Sequence, residues 1–224
     1  MPPVKKAPQK RSMKGDRAAE IVARLKQIYP KATCSLDYNN PFELLIATML
    51  SAQSTDVRVN LVGKTLFKKF PTPDRMAEAG QVEVEREIRT TGFFRNKAKA
   101  VIAASKAIME KHSGKVPDSM DELTALPGVG RKTANVVLGN AFSQPVGVVV
   151  DTHVARVSGR LGLTANAYPV KIEQDLMALI PQKEWTKFSH RLIAHGREIC
   201  IARKPKCAQC RLNDLCPSAQ EPAE

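Results

Sequence analysis

A chain of 224 residues that is 43% hydrophobic and carries both signs of charge is long enough to bury one ordinary core or two small ones, so a globular protein is expected. No run of eighteen apolar residues occurs and the amino-terminal stretch lacks an apolar signal core. Neither a membrane partner nor secretion is therefore expected, and the chain reads as cytosolic. The 35 Lys and Arg residues outnumber the 22 Asp and Glu residues, and the resulting +13 attracts polyanions, nucleic acid first among them.

Residues 1–15 set Pro2, Pro3 and Pro8 among lysines and cannot bury apolar area, which predicts a disordered basic tail. From Asp16 to Tyr29, Ala18, Ile21, Val22, Leu25 and Ile28 recur at helical spacing, with Pro30 beyond the end. Cys34 stands alone after this helix and reads as a small buried apolar side chain. Asn40-Pro41-Phe42-Glu43 then supplies a cap, a first-turn proline and an acid ahead of Leu44 to Leu50, whose apolar residues surround the helix and predict a central buried position. Further helices are expected over Asp56–Phe70, Gln81–Thr90, Asn96–His112 and Ser119–Leu126, the last with a Ser119/Glu122 capping box. Val146 to Val150 is the one strand-like run, and five residues without a partner make no stable sheet, so the fold class is all-α. Helices over Thr152–Leu161, Pro169–Ile180 and Glu184–His195 complete the series.

Leu126-Pro127-Gly128-Val129-Gly130-Arg131-Lys132-Thr133 joins the end of the Ser119–Leu126 helix to the start of another. Glycines on either side of one apolar residue permit unusual backbone angles and a close approach to the main chain, and helix-start amides suit a phosphate oxygen. With Val129 pointing inward as a peg, the segment looks like a helix-hairpin-helix that grips the DNA backbone without reading sequence, through Gly128, Val129, Gly130, Arg131 and Thr133. An ordinary tight turn is the plainer alternative. Lys132 lies in the first turn of the second helix, where the dipole and Arg131 disfavour an ammonium ion. A neutral amine there can attack a sugar carbon and form a Schiff base that acidifies the neighbouring C–H. Asp151 follows the valine run just ahead of a helix. It could be a simple cap, or a carboxylate that steadies the oxocarbenium-like charge of a breaking glycosidic bond.

LPGVGRKTANVVL followed by VDTH resembles the bacterial endonuclease III family, and the similarity runs from about Ile21 to Cys216 through PFELLIATMLSAQSTD and HGREICIARKPKC. The resemblance implies a bifunctional DNA glycosylase/AP lyase of base excision repair that removes oxidised pyrimidines and cleaves the strand by β-elimination, with Lys132 as nucleophile and Asp151 assisting. It also implies two helical domains flanking a DNA-binding groove. One is a six-helix barrel over residues 34–147 carrying the hairpin; the other is an iron–sulfur domain assembled from 16–33 and 148–224. The expected partner is double-stranded DNA with damaged bases or abasic sites, met by a monomer in the cytoplasm at the nucleoid.

Cys200, Cys207, Cys210 and Cys216 give C-x6-C-x2-C-x5-C, and four thiolates at such spacing can close around zinc or a cubane cluster. The resemblance selects a [4Fe–4S] cluster. Between the first two cysteines, Arg203, Lys204 and Lys206 form a basic tether expected to meet phosphates. Chemistry on a sugar inside a duplex requires an extruded nucleotide and a filler for the hole. By resemblance, Gln53 is the filler and Phe93 an apolar wedge, although the family commonly has an aliphatic residue followed by tyrosine where this chain reads Phe93-Phe94, and Phe93 could instead belong to the core. Asp56 and His153 are weaker candidates for the base pocket, or a helix cap and a packed histidine. A mismatch-specific adenine or thymine glycosylase of the same superfamily, and a non-enzymatic iron–sulfur DNA-binding regulator, are the alternatives; the regulator would leave Lys132 and Asp151 without work.

Overall fold

The computed structural model describes residues 13–220. The expected basic tail lies outside the described residues up to Ser12, and its last three positions are helical rather than disordered. Helix α1 (Met13–Ile28) starts ahead of Asp16, which occupies the first turn, where a negative charge meets the positive end of the helix dipole. Ala18, Ile21, Val22 and Leu25 form its buried stripe. The polypeptide divides into two compact units, one formed by the chain up to Ala32 together with Val150 onward, the other by Thr33–Val149.

The second unit is built around α2 (Pro41–Leu50). The Asn40 side chain accepts a hydrogen bond from the Glu43 amide at 2.9 Å, Pro41 occupies the first turn, and every residue from Phe42 to Leu50 is buried. Glu43 is fixed in turn, its Oε2 accepting from the Asn39 amide at 2.7 Å. Along the chain follow α3 (Asp56–Lys69), the one-turn α4 (Pro73–Ala77), α5 (Gln81–Ile88), a 3-10 turn at Arg89–Thr91, α6 (Phe94–His112), the one-turn α7 (Met120–Thr124) and α8 (Arg131–Ala141). Helix α2 touches α3, α6 and α8, while α4 and α5 pack on α6 and α7 packs on α8. Leu44, Leu45, Ile46, Leu66, Met76 and Ile108 lie fully inside this core.

In the first unit α9 (Thr152–Arg160), α10 (Pro169–Leu179), α11 (Trp185–Glu198) and the short α12 (Pro217–Gln220) join α1. Helix α11 packs on α9 and α1, and α1 packs on α10. Phe188 and Leu192 of α11 are fully buried, and the Trp185 indole donates to Ile180 O at 2.8 Å. The cysteine-bearing end carries 3-10 turns at Cys207–Gln209 and Asn213–Leu215. Val148, Val149 and Val150 are buried, yet no β-strand forms among the described residues, and the fold is all-α. No described helix is long and apolar enough to cross a membrane.

Candidate functional site

The hairpin is anchored from within. Leu126 and Val129 are buried in the core of the second unit, with Pro127, Gly128 and Gly130 exposed around them. Gly128 has φ +75, and a Cβ there would lie 3.0 Å from Ala100 Cβ and 3.2 Å from Met49 Cε, so both backbone angle and space demand glycine. The Val129 amide closes the turn on Leu126 O at 3.1 Å, which commits that N–H to the hairpin itself. Gly130 caps α8 with extended backbone and no side-chain acceptor, and Arg131 and Lys132 are the exposed first residues of that helix. A helix start without a side-chain cap offers its first-turn amides to an external anion.

Five described non-glycine residues adopt left-handed backbone: Gln53 (φ 52), Phe93 (φ 47), Ser113, Ser143 and Lys204 (φ 53). Ser113 ends α6. Gln53, Phe93 and Lys204 are instead exposed loop residues, each one singled out as a DNA contact. Such angles cost on the order of 1–3 kcal/mol and persist only where the surroundings impose them. Phe93 is 65% exposed, so its ring is not core; the core position is taken by the adjacent Phe94, which packs against the apolar cluster.

Asp151 is the N-cap of α9, its Oδ1 accepting from the Val154 amide at 2.7 Å. It also faces His190 electrostatically. Burial first, then Lys187 and Arg191, pull His190 down to about 4, and the Asp151 charge opposes them. His153 packs over α11, where a Cβ on Gly196 would come within 3.0 Å of its Nδ1, and the same nitrogen lies 3.2 Å from the Arg156 guanidinium. Asp56, in the first turn of α3, accepts from Ser35 Oγ at 3.0 Å. Lys132 and Asp151 belong to different units, and so do Asp56 and His153.

All four cysteines at the end of the chain border one cavity of about 60 Å³, together with His195, Arg160 and Lys206. Polar groups surround the sulfurs: the Leu212 amide lies 3.4 Å from Cys210 Sγ, Arg160 Nη1 3.5 Å from Cys200 Sγ and His195 Nε2 3.5 Å from Cys210 Sγ. Burial pushes the Cys210 thiol up, and the other three cysteines raise it further; burial does the same at Cys216. Crowded thiols of this kind need a cationic centre to exist as thiolates, and N–H donors aimed at sulfur suit an iron–sulfur group. Among the described residues, no three His, Cys, Asp or Glu side chains are gathered as around a single metal ion. Arg203, Lys204 and Lys206 are exposed on the intervening tether.

Sequence reasoning overlooked the arginines that hold this loop. Arg160 donates to Ile201 O at 2.8 Å and to Ala202 O at 2.9 Å, and Arg156 to Cys200 O at 3.1 Å and Gly196 O at 2.9 Å. Arg17 of α1 reaches Leu161 O at 2.6 Å and Leu215 O at 3.1 Å. The available signal was the spacing of His153, Arg156 and Arg160, which puts three polar side chains on one side of α9.

Residues 46–182 match the family of HhH-GPD superfamily base excision DNA repair proteins, and residues 200–216 match the iron–sulfur binding domain of endonuclease III. Endonuclease III of Synechocystis sp. is 55% identical over 212 residues, spanning 95% of this chain and 97% of its own. Among solved structures, a trapped endonuclease III–DNA covalent intermediate, described as an estranged-adenine complex, superposes with a TM-score of 0.87 at 43% identity, covering 92% of this chain and 96% of that one. A thermostable thymine-DNA glycosylase shares the fold at a TM-score of 0.85 but only 21% identity, covering 93% and 99%. The four cysteines are the ligands available for a [4Fe–4S] cluster, and the protein binds DNA. The chain belongs to the endonuclease III family within the HhH-GPD superfamily, and is a DNA glycosylase/AP lyase of base excision repair.

Proposed function

We propose that this protein excises oxidised pyrimidines from double-stranded DNA and then cleaves the strand on the 3′ side by β-elimination, with Lys132 as nucleophile and Asp151 as its carboxylate partner. The observation that carries the assignment is an exposed amine in the first turn of α8, two residues beyond Gly130, the uncapped end of a glycine hairpin. The Lys132 amine attacks C1′ of the extruded nucleotide as the base departs with a proton. Ring opening gives an iminium at C1′, whose electron demand acidifies C2′–H. Loss of that proton expels the 3′ phosphate, and water then hydrolyses the imine to release Lys132. Asp151 stabilises positive charge at the sugar as the glycosidic bond breaks. A relative trapped in covalent complex with DNA supports a nucleophilic route of this kind.

Main-chain groups of the hairpin, with Arg131 and Thr133, hold the phosphates, and Arg203, Lys204 and Lys206 add a second cationic contact. Gln53 and Phe93 fill the space vacated by the flipped nucleotide, while Asp56 and His153 support the pocket. When bound by Cys200, Cys207, Cys210 and Cys216, the cluster cross-links the loop that carries the tether and supplies a redox-capable centre. The protein works as a monomer on DNA in the cytoplasm, at the nucleoid; the net charge of +13 supports the attraction to DNA and opposes self-association.

Borohydride trapping on a duplex containing thymine glycol tests the assignment. Lys132→Ala is expected to abolish the trapped adduct while still binding the duplex; undiminished trapping would remove Lys132 as nucleophile. Asp151→Asn should lose cleavage and keep binding. Strand cleavage on thymine-glycol duplexes compared with mismatched ones separates oxidised-pyrimidine excision from mismatch excision.

A further inference from the structure

Lys97 is a buried cation, only 8% exposed, in the first turns of α6. Its ammonium donates to two carbonyl oxygens, Leu50 O and Thr91 O, both at 2.8 Å. Leu50 is the last residue of α2 and Thr91 the last of the 3-10 turn. Each carbonyl is thus the type of orphan acceptor that a helix end leaves unpaired, and a cation there also meets the negative end of the dipole. The backbone of Lys97 makes a third link, its amide donating to Phe93 O at 3.1 Å. Burial lowers the affinity of this lysine for its proton, so keeping a cation here requires the two carbonyls.

The positions of those carbonyls give the lysine its significance. Three residues beyond Leu50 comes Gln53, and two beyond Thr91 comes Phe93; both are exposed and both are held in left-handed backbone. We infer that Lys97 is a positioning residue that ties the roots of the Gln53 and Phe93 loops to one charge, so that the two side chains enter a duplex as a single unit. The inference rests on the reading of Gln53 and Phe93 as the residues that fill the opened stack. Strained loops stay in place only when their surroundings determine them, and the Lys97 ammonium bonds to the last helical residue before each loop, Leu50 and Thr91.

The test uses the cluster-loaded protein and a thymine-glycol duplex with 2-aminopurine opposite the lesion, whose fluorescence rises when that base is unstacked. Single-turnover excision and the fluorescence step are measured for wild type, Lys97→Met, Gln53→Ala with Phe93→Ala, and all three changes together. Lys97→Met should slow excision on the order of tenfold and remove most of the fluorescence step, with affinity for undamaged duplex changed less than about twofold. Adding Lys97→Met to the Gln53→Ala/Phe93→Ala protein should cost nothing further, since the coupled side chains are already absent. Lys97→Arg, which keeps the cation and its donors, should restore part of the step. If Lys97→Met fails to fold, Lys97→Gln replaces it, with the same losses expected. A normal step in the Lys97 variants alongside a defective Gln53→Ala/Phe93→Ala protein overturns the coupling alone, as does a fully additive triple variant. A normal step in Gln53→Ala/Phe93→Ala overturns the filler reading and the coupling with it.

Discussion

The hairpin at Leu126–Lys132 is fixed by burial, with Leu126 and Val129 inside the core of its unit, whereas the loop from Cys200 to Cys216 buries only Leu212 among its own residues. What holds the cysteine loop is a set of guanidinium groups from elsewhere. Arg17, Arg156 and Arg160 donate to its carbonyls, and Arg24 of α1 clasps Asp214 through both oxygens at 2.6 and 2.9 Å while reaching Arg211 O. The hairpin is held by its own apolar side chains, Leu126 and Val129, which enter the core of its unit. The loop is shaped from outside, and the sulfurs at its centre repel one another once ionised, so that a cationic group is needed to hold them as thiolates.

This contrast can be broken at several points. Cys210→Ser should have the largest effect: loss of the cluster, trypsin cleavage after Arg203 and Lys206, and a fall in the melting temperature of the first unit by roughly 10 °C or more. The second unit should keep its own transition, and concerted melting of both would contradict the separation. Gly128→Ala acts on the other side of the comparison. Its left-handed angle and the 3.0 Å approach to Ala100 should lower stability by about 2–3 kcal/mol in urea titrations, with the iron content unchanged.

Acid discriminates further. His190 in the folded state titrates near 4, below the ordinary 6.5, so the unfolded chain binds a proton that the folded one refuses over that interval. Its contribution is complete above pH 6.5 and is lost as the pH falls toward 4, up to about 3 kcal/mol. His190→Gln should flatten that part of a stability profile, and an unchanged profile would show that the histidine is not held neutral. The smallest effect is expected at Lys204→Gly. Relief of its left-handed angle should raise stability by about 0.5–1 kcal/mol. Loss of its charge should reduce the slope of log affinity against log salt by about 1.

Local pattern revealed the hairpin, the four cysteines and nearly all of the long helices, because each signal lies within a few residues. Asn40 and Pro41 marked the start of α2 for that reason. The one-turn α4 escaped, its five residues too few for periodicity to register, whereas the equally short α7 was marked by its Ser119/Glu122 cap. Helix α6 begins at Phe94 rather than at Asn96, since the left-handed Phe93 ends the preceding turn, and no residue type announces that angle. The brackets around the site were illegible for a different reason. Arg17 bonds to Leu161 across 144 positions, and Lys97 sits in a basic run, RNKAK, that reads as solvated surface although the lysine is buried. A pattern of residue types cannot say which of several cations turns inward.

Phe93 holds a mostly wetted ring at 65% exposure on left-handed backbone. Withdrawing that ring from water is favourable only where a gap between bases can receive it. On the proposed reading, the free protein is therefore prepared for duplexes whose stacking yields easily. A weakened base step would be sensed by its mechanical compliance before any atom of the damaged base is inspected.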